Sequence, residues 1–132
     1  MIIHTFKQRT EEWYKIRLGK FTGSNFHALL SNGKMRDKVI FEKTAEHITK
    51  YSDIELINSA DIRRGIELED EAIFLYEVQF NTKVDSVGFI EIDEFTGCSP
   101  DGLVGSDGMV EVKSPRQSVY LETVLTGKIK PE

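Results

Sequence analysis

Ser99-Pro100-Asp101-Gly102, then Gly105-Ser106-Asp107-Gly108, then Val110-Glu111-Val112-Lys113 spell out a β-hairpin that carries three charged groups. The Gly/Ser/Asp cluster is a tight-turn signal between two runs of strand-forming residues. Residues two apart in a strand share a face, so Glu111 and Lys113 project together while Val110 and Val112 turn to the other side. An antiparallel return through the turn brings Asp101 back beside Glu111. Two carboxylates and an ammonium then converge, and the carboxylates are oxygen donors that hard divalent cations such as Mg²⁺ accept, with water and substrate phosphate completing the shell. That chemistry suits metal-assisted hydrolysis of a phosphodiester. The plainer alternative is a solvated Glu–Lys pair on an exposed sheet face.

A further carboxylate comes from the segment running from Ile62 to Phe80. Ile62, Ile66, Ile73, Tyr76 and Phe80 recur at three- and four-residue steps and form one apolar helical stripe, and the missing step falls on Glu69. An unpaired buried carboxylate costs several kcal/mol, so Glu69 requires a cation. That cation is either a bound metal or a structural partner such as Arg63, Arg64 or a distant lysine. Glu67, Asp70 and Glu71 lie off the stripe and read as its solvated face.

Set in order, these residues resemble a known family. Gly65-x-x-x-Glu69-x-x-Ala72, then Ser99-Pro100-Asp101-Gly102-Leu103, then Glu111-Val112-Lys113 is similar to the YqaJ-type viral recombinases of the PD-(D/E)xK nuclease superfamily. The amino-terminal stretch Gln8 to Gly19, containing Trp13 and Arg17, followed by Phe21-Thr22-Gly23-Ser24, extends the resemblance. The resemblance implies that Asp101 and Glu111 are metal-binding carboxylates and that the Val112 carbonyl is a backbone ligand. Glu69 becomes the helix acid that completes the shell, and Lys113 the catalytic lysine. It further implies that Arg17, Ser24 and Ser99 hold the 5′-phosphate of a DNA end. Arg17 suits that task, because a guanidinium grips phosphate oxygens through parallel hydrogen bonds, and it lies one helical turn from Trp13. Its alternative is a surface arginine on an amphipathic helix. Ser24 has the alternative of capping the helix that holds Phe26, Leu29 and Leu30. An acid is also expected before the Ser-Pro-Asp turn, and Glu91, Asp93 and Glu94 all offer themselves.

The function implied is Mg²⁺-dependent exonucleolytic digestion of linear double-stranded DNA from a 5′-phosphorylated end, with Mn²⁺ as a substitute ion. A single-strand annealing protein and a homo-trimeric assembly are the partners that the resemblance implies. Two alternatives stay open: a non-catalytic remnant that binds DNA ends or a protein partner, and an endonuclease or repair nuclease of the same superfamily.

Charge is unevenly spread. Residues 1–50 carry ten Lys/Arg against five Asp/Glu, residues 51–110 three against fourteen, and residues 111–132 four against three, for a net −5. A basic amino-terminal third suits a phosphate backbone, and the acidic middle contains the expected metal ligands. The run Lys34 to Lys38 also reads as a solvated helix face. Cys98 is the sole cysteine, which excludes an internal disulfide and a thiolate-built zinc centre. His4, His27 and His47 are scattered singly and read as surface or packing residues. No stretch has the length and apolarity of a membrane span and no secretory pattern opens the chain, so a cytoplasmic protein of a bacterial or phage-infected cell is expected.

At 132 residues and 39% hydrophobic content, one α+β domain of the restriction-endonuclease-like type is expected over 1–132. Helices are predicted from Thr10 to about Leu18, Asn25 to Leu30, and Arg36 to Lys50, the last with Ile40, Thr44, His47 and Ile48 on a common side. The helix bearing Glu69 follows, ending near Phe80. A small mixed sheet comes next, with strands at Lys83 to Val87 and Gly88 to Ile92 ahead of the catalytic hairpin, whose last strand is stopped by Ser114-Pro115. A weak helix spans Ser118 to Leu125. Lys130-Pro131-Glu132 reads as a connection, and the chain reads as lacking the C-terminal part of the usual core.

Overall fold

The structure, a computed structural model, describes residues 1–53 and 59–128. The terminal Lys130-Pro131-Glu132 reading lies outside the described residues. In chain order the elements are β1 (Ile2–His4), α1 (Glu11–Arg17), α2 (Gly23–Leu30), α3 (Lys34–Thr49), α4 (Ala60–Phe80), β2 (Val84–Asp85), β3 (Phe89–Glu91), β4 (Gly97–Cys98), β5 (Gly102–Val104), β6 (Gly108–Val110) and α5 (Gln117–Thr126). The α+β class is the expected one. The strands do not form one mixed sheet, however. They form two three-stranded antiparallel sheets, ordered β1-β3-β4 and β2-β5-β6, and parallel pairing is confined to a bridge between Phe21 and Thr96 among the described residues.

Two compact units share the chain, one of residues 1–55 and 84–110 and the other of 56–83 and 111–132. The core of the first unit is centred on β3 and the residue pair before it. Phe89 is wholly buried, and Val87, Ile90 and Ala28 of α2 are buried with it. β3 is central to its sheet, with Ile90 opposite Ile3 on one side and Cys98 on the other.

Helix α1 begins after an extended Thr10 and carries Glu11 and Glu12 in its first turn, Lys15 and Arg17 in its last, matching the helix dipole at both ends. Gly19 ends the run with φ +70°, and a Cβ there would lie 2.7 Å from the Cα and Cβ of His47, so the turn after Arg17 demands glycine twice over. In α2 the cap is made by Thr22 and Asn25: the Asn25 Oδ1 accepts the Thr22 amide N–H at 2.7 Å. Ser24 is therefore not the capping residue.

Two helical faces differ from expectation. On α3, Ile40 and Ile48 are exposed, and the covered side runs instead through Val39, Lys43, Glu46 and His47. The reason is polar: Glu46, only 5% exposed, accepts hydrogen bonds from the Gly19 amide (3.0 Å), Lys43 Nζ (2.7 Å) and Ser52 Oγ (2.8 Å). Apolar periodicity does not anticipate a helix held by a satisfied buried carboxylate. On α4, Ile62, Ile66 and Phe80 are exposed, whereas Gly65, Glu69, Ala72, Ile73 and Tyr76 are half-covered. Glu69 does sit on the covered side, but the stripe is turned toward Gly65 and Ala72. No helix among the described residues is long and apolar enough to cross a membrane.

Candidate active site

The most ordered polar cluster of the first unit is built on Arg17. Its guanidinium stacks on the Trp13 ring, 4.2 Å from the centroid, as the one-turn spacing predicts. Nη1 donates to Ser99 Oγ at 3.0 Å and Nη2 to Thr22 Oγ1 at 3.3 Å. Thr22 Oγ1 lies 3.0 Å from Ser24 Oγ. Of the group Arg17, Ser24 and Ser99 singled out in sequence, Ser99 meets the guanidinium directly and Ser24 is linked to it only through Thr22. Among the described residues no carboxylate pairs with Arg17, although burial lowers its pKa from the ordinary arginine value, with Tyr14 acting in the opposite sense. An arginine stays charged under any such shift. The hydrogen-bond partners of this half-buried cation among the described residues are neutral hydroxyls.

Distant backbone holds this cluster in place. Trp13 Nε1 donates to the Gly88 carbonyl and to Ser99 Oγ, each at 3.0 Å. Gln8 Nε2 donates to the Val87 carbonyl at 3.1 Å and the Pro100 carbonyl at 2.8 Å, tying the approach to α1 to both flanks of the sheet. Gly88 has no alternative, since a Cβ would collide with the Phe6 carbonyl. The roles of Trp13 Nε1 and of Thr22 were not read from the sequence. A threonine directly before Gly-Ser-Asn is the signal for the second; nothing local signals the first.

The hairpin has the expected register. Gly102 faces Val110, Leu103 faces Met109 and Val104 faces Gly108, with Gly105 at φ +61° in the turn. The Asp101 amide adds one more ladder bond to the Val110 carbonyl at 3.0 Å. The strand does not continue to Lys113 as expected: β6 stops at Val110, and residues 111–116 are irregular. Glu111 and Lys113 still share a side, because Lys113 Nζ donates to Glu111 Oε1 at 3.0 Å, and both are about half exposed. Val112 is half-buried in the same irregular segment.

In the second unit this segment is strapped to α4. Arg64 Nη2 donates to the Ser114 carbonyl at 2.9 Å, and Arg116 donates from Nε (2.9 Å) and Nη2 (2.5 Å) to Asp61 Oδ2, which Arg64 also faces at 3.2 Å through Oδ1. The hydrogen bond from Arg116, above all, lowers the Asp61 pKa. Glu69 follows Arg64 on the same helix, on its half-covered side.

The acids before the Ser-Pro-Asp turn are separately occupied. Glu91 accepts from Lys20 Nζ at 2.9 Å and meets His4 Nε2 at 3.1 Å, partners that lower its pKa. Asp93 Oδ1 accepts the amides of Phe95 and Thr96, which lowers its pKa as well, and Glu94 Oε1 stands 3.7 Å from His47 Nε2. Lys20, 8% exposed, also donates to the carbonyls of Asp93 and Glu94. These are folding contacts of the β3–β4 connection, and Lys20 was not foreseen.

Carboxylates at 69, 101 and 111 with the Val112 carbonyl are hard oxygen donors of the kind Mg²⁺ takes. Asp101 belongs to the first unit, Glu69 and Glu111 to the second. Among the described residues no three His, Cys, Asp or Glu side chains stand together as a metal-binding group. The fit to a metal therefore lies in donor chemistry.

Comparison with known proteins bears on the whole arrangement. The YqaJ-like viral recombinase domain matches residues 12–132. An alkaline exonuclease (LHK-Exo) from Laribacter hongkongensis superposes with a TM-score of 0.81 at 36% identity, over 92% of this chain and 62% of that one. A structure of LHK-Exo in complex with dAMP gives the same values. The chain thus spans about 62% of the length of that neighbour. No match was found among curated proteins. With the domain matched from the first turn of α1 to the last residue, the chain belongs to the YqaJ-like viral recombinase family.

Proposed function

We propose that this chain is a metal-dependent deoxyribonuclease, an exonuclease of the phage recombination type that digests linear double-stranded DNA from a 5′-phosphorylated end. One observation carries the reading: a half-buried Arg17, stacked on Trp13, is surrounded by hydroxyls of Ser99 and Thr22, with Ser24 beside them, and has no carboxylate partner among the described residues. A terminal phosphate supplies the missing negative charge and accepts several hydrogen bonds at once. A related exonuclease whose structure contains dAMP adds weight to a deoxynucleoside phosphate as the ligand class.

Asp101, Glu111, Glu69 and the Val112 carbonyl would hold Mg²⁺, or Mn²⁺ in its place, and the bound ion supplies Lewis acidity toward the scissile phosphate. Lys113, an ammonium next to Glu111, is assigned to stabilising the charge that grows on the phosphate and to positioning the attacking water. Arg17 fixes the end of the strand, so that the next phosphodiester is presented in one register. A single-strand annealing partner, a homo-trimer and a cytoplasmic setting belong to the same proposal and rest on family resemblance, as does a single nuclease domain over 1–132.

The test is digestion of linear duplex DNA, with and without a 5′-phosphate, in Mg²⁺ or EDTA. The parent protein should remove one strand of the phosphorylated duplex in Mg²⁺ only, and Lys113→Ala should not. A parent that binds phosphorylated ends without digesting them would favour the non-catalytic alternative. Internal cutting of circular duplex would favour an endonuclease. Equal digestion by Lys113→Ala would remove the lysine from the mechanism.

A further inference from the structure

Ser99 Oγ receives two hydrogen bonds, from Trp13 Nε1 and from Arg17 Nη1, each at 3.0 Å. A hydroxyl oxygen has two acceptor lone pairs and one proton. Both lone pairs are engaged, so the proton is what remains, and it must point away from both donors. Among the described residues Ser99 donates to nothing, and its side chain is only half-buried. Thr22 shows the same logic one step removed. It is 4% exposed, its Oγ1 accepts from Arg17 Nη2, and it lies 3.0 Å from Ser24 Oγ. Either hydroxyl can donate across that contact; when Thr22 donates to Ser24, the Ser24 proton is directed outward, and Ser24 is exposed.

We infer that Trp13 and Thr22 are positioning residues that set Ser99 and Ser24 as outward proton donors, so that the cluster around Arg17 offers donors only and selects a phosphate monoester over a terminal hydroxyl. This rests on the reading of the cluster as the end-binding site. A phosphate dianion presents three terminal acceptor oxygens. A 5′-hydroxyl has no charge for Arg17 and brings a proton of its own into a pocket with no acceptor turned toward it. Trp13 has two separable parts in this scheme: its ring carries the guanidinium, and its N–H fixes the direction of the Ser99 hydroxyl. Ser99 is the neighbour of Pro100, whose carbonyl Gln8 holds, so the serine is fixed in backbone as well as in proton.

The experiment is equilibrium binding of one dye-labelled duplex in two forms, 5′-phosphate and 5′-hydroxyl, in EDTA so that nothing is hydrolysed. Trp13→Phe keeps an aromatic face and removes the N–H; Thr22→Val keeps the shape and removes the hydroxyl; Thr22→Ser returns it. The parent should prefer the phosphorylated end by about tenfold or more, and Trp13→Phe and Thr22→Val should each cut that ratio by about three- to tenfold. Affinity for the hydroxyl duplex should stay at the parental value, and Thr22→Ser should recover the ratio. Parental ratios in both Trp13→Phe and Thr22→Val would overturn the inference, as would an equal fall for both duplexes. A parent without any phosphate preference would overturn the end-binding reading instead. Should Trp13→Phe fail to fold, the Val and Ser variants of Thr22 decide by themselves: loss and recovery support the inference, and unchanged ratios overturn it.

Discussion

The Arg17 cluster and the segment from Glu111 to Arg116 are both polar and both central to the proposed chemistry, yet they are built in opposite ways. Arg17 is half-buried, stacked on a ring and bonded to neutral hydroxyls, and Trp13 and Gln8 beside it are tied to the carbonyls of Gly88, Val87 and Pro100. The residues after β6 have no ladder; Glu111 and Lys113 satisfy each other in water, and exposed arginines strap the chain to α4. The first region is organised before any ligand arrives. The second, in the proposed function, is completed by an ion and substrate. Pre-organisation without charge neutralisation suits the proposed anion site, and an exposed carboxylate–lysine pair suits a proposed site where a cation displaces the lysine.

The largest expected effect tests the second region. Glu111→Gln and Lys113→Ala should each lower turnover on phosphorylated duplex by about two orders of magnitude or more, while affinity for the same duplex in EDTA changes little. A fall in both would show that the two regions are not independent. Next comes Arg17→Ala, which should remove most of the preference for phosphorylated ends in a binding assay, a change of about tenfold or more.

A third prediction concerns the support of the first region. Glu46 receives the Gly19 amide just after Arg17 and pairs with Lys43. Burial works against its ionisation, but the bonds from Lys43, Gly19 and Ser52 outweigh that and lower its pKa. A depressed carboxylate pKa stabilises the fold above the unfolded value, about 4.3, and that contribution is lost as pH falls through the folded value. Glu46→Gln should therefore lower Tm at pH 7, corresponding to about 1–3 kcal/mol, and the gap to the parent should close as pH drops below about 4. A gap that stays constant with pH would mean that the charge of Glu46 contributes nothing. The smallest effect is expected from Arg116→Ala: an exposed ion pair contributes little, so Tm should be unchanged.

Sequence made the helices legible through local signals such as Thr10 at the start of α1 and through the apolar spacing around Glu69 in α4. The hairpin was legible down to its register, through Asp101-Gly102 and the Gly105 turn. Of the candidate site, the Trp13–Arg17 stack and the contact of Arg17 with Ser99 agree with the sequence reading, whereas Ser24 reaches Arg17 only through Thr22. What was hidden depends on partners far along the chain. β1 and β4, three and two residues long, exist because β3 lies between them, and no periodicity marks so short a run. Lys20 and Glu46 are buried charges whose satisfaction comes from residues as far away as Glu91 and Gly19. The end of β6 at Val110 was hidden in another way: Val-Glu-Val-Lys alternates like a strand, yet residues 111–116 are irregular.

The most direct test of the central claim is a crystal structure of the protein with Mn²⁺ and a 5′-phosphorylated duplex, read by the anomalous signal of the ion. The account predicts a manganese peak in contact with the carboxylates of Asp101 and Glu111, Lys113 released from Glu111, and the terminal phosphate on Arg17 and Ser99. A phosphate bound elsewhere, or Mn²⁺ at sites that exclude both carboxylates while Glu111 remains on Lys113, would contradict it.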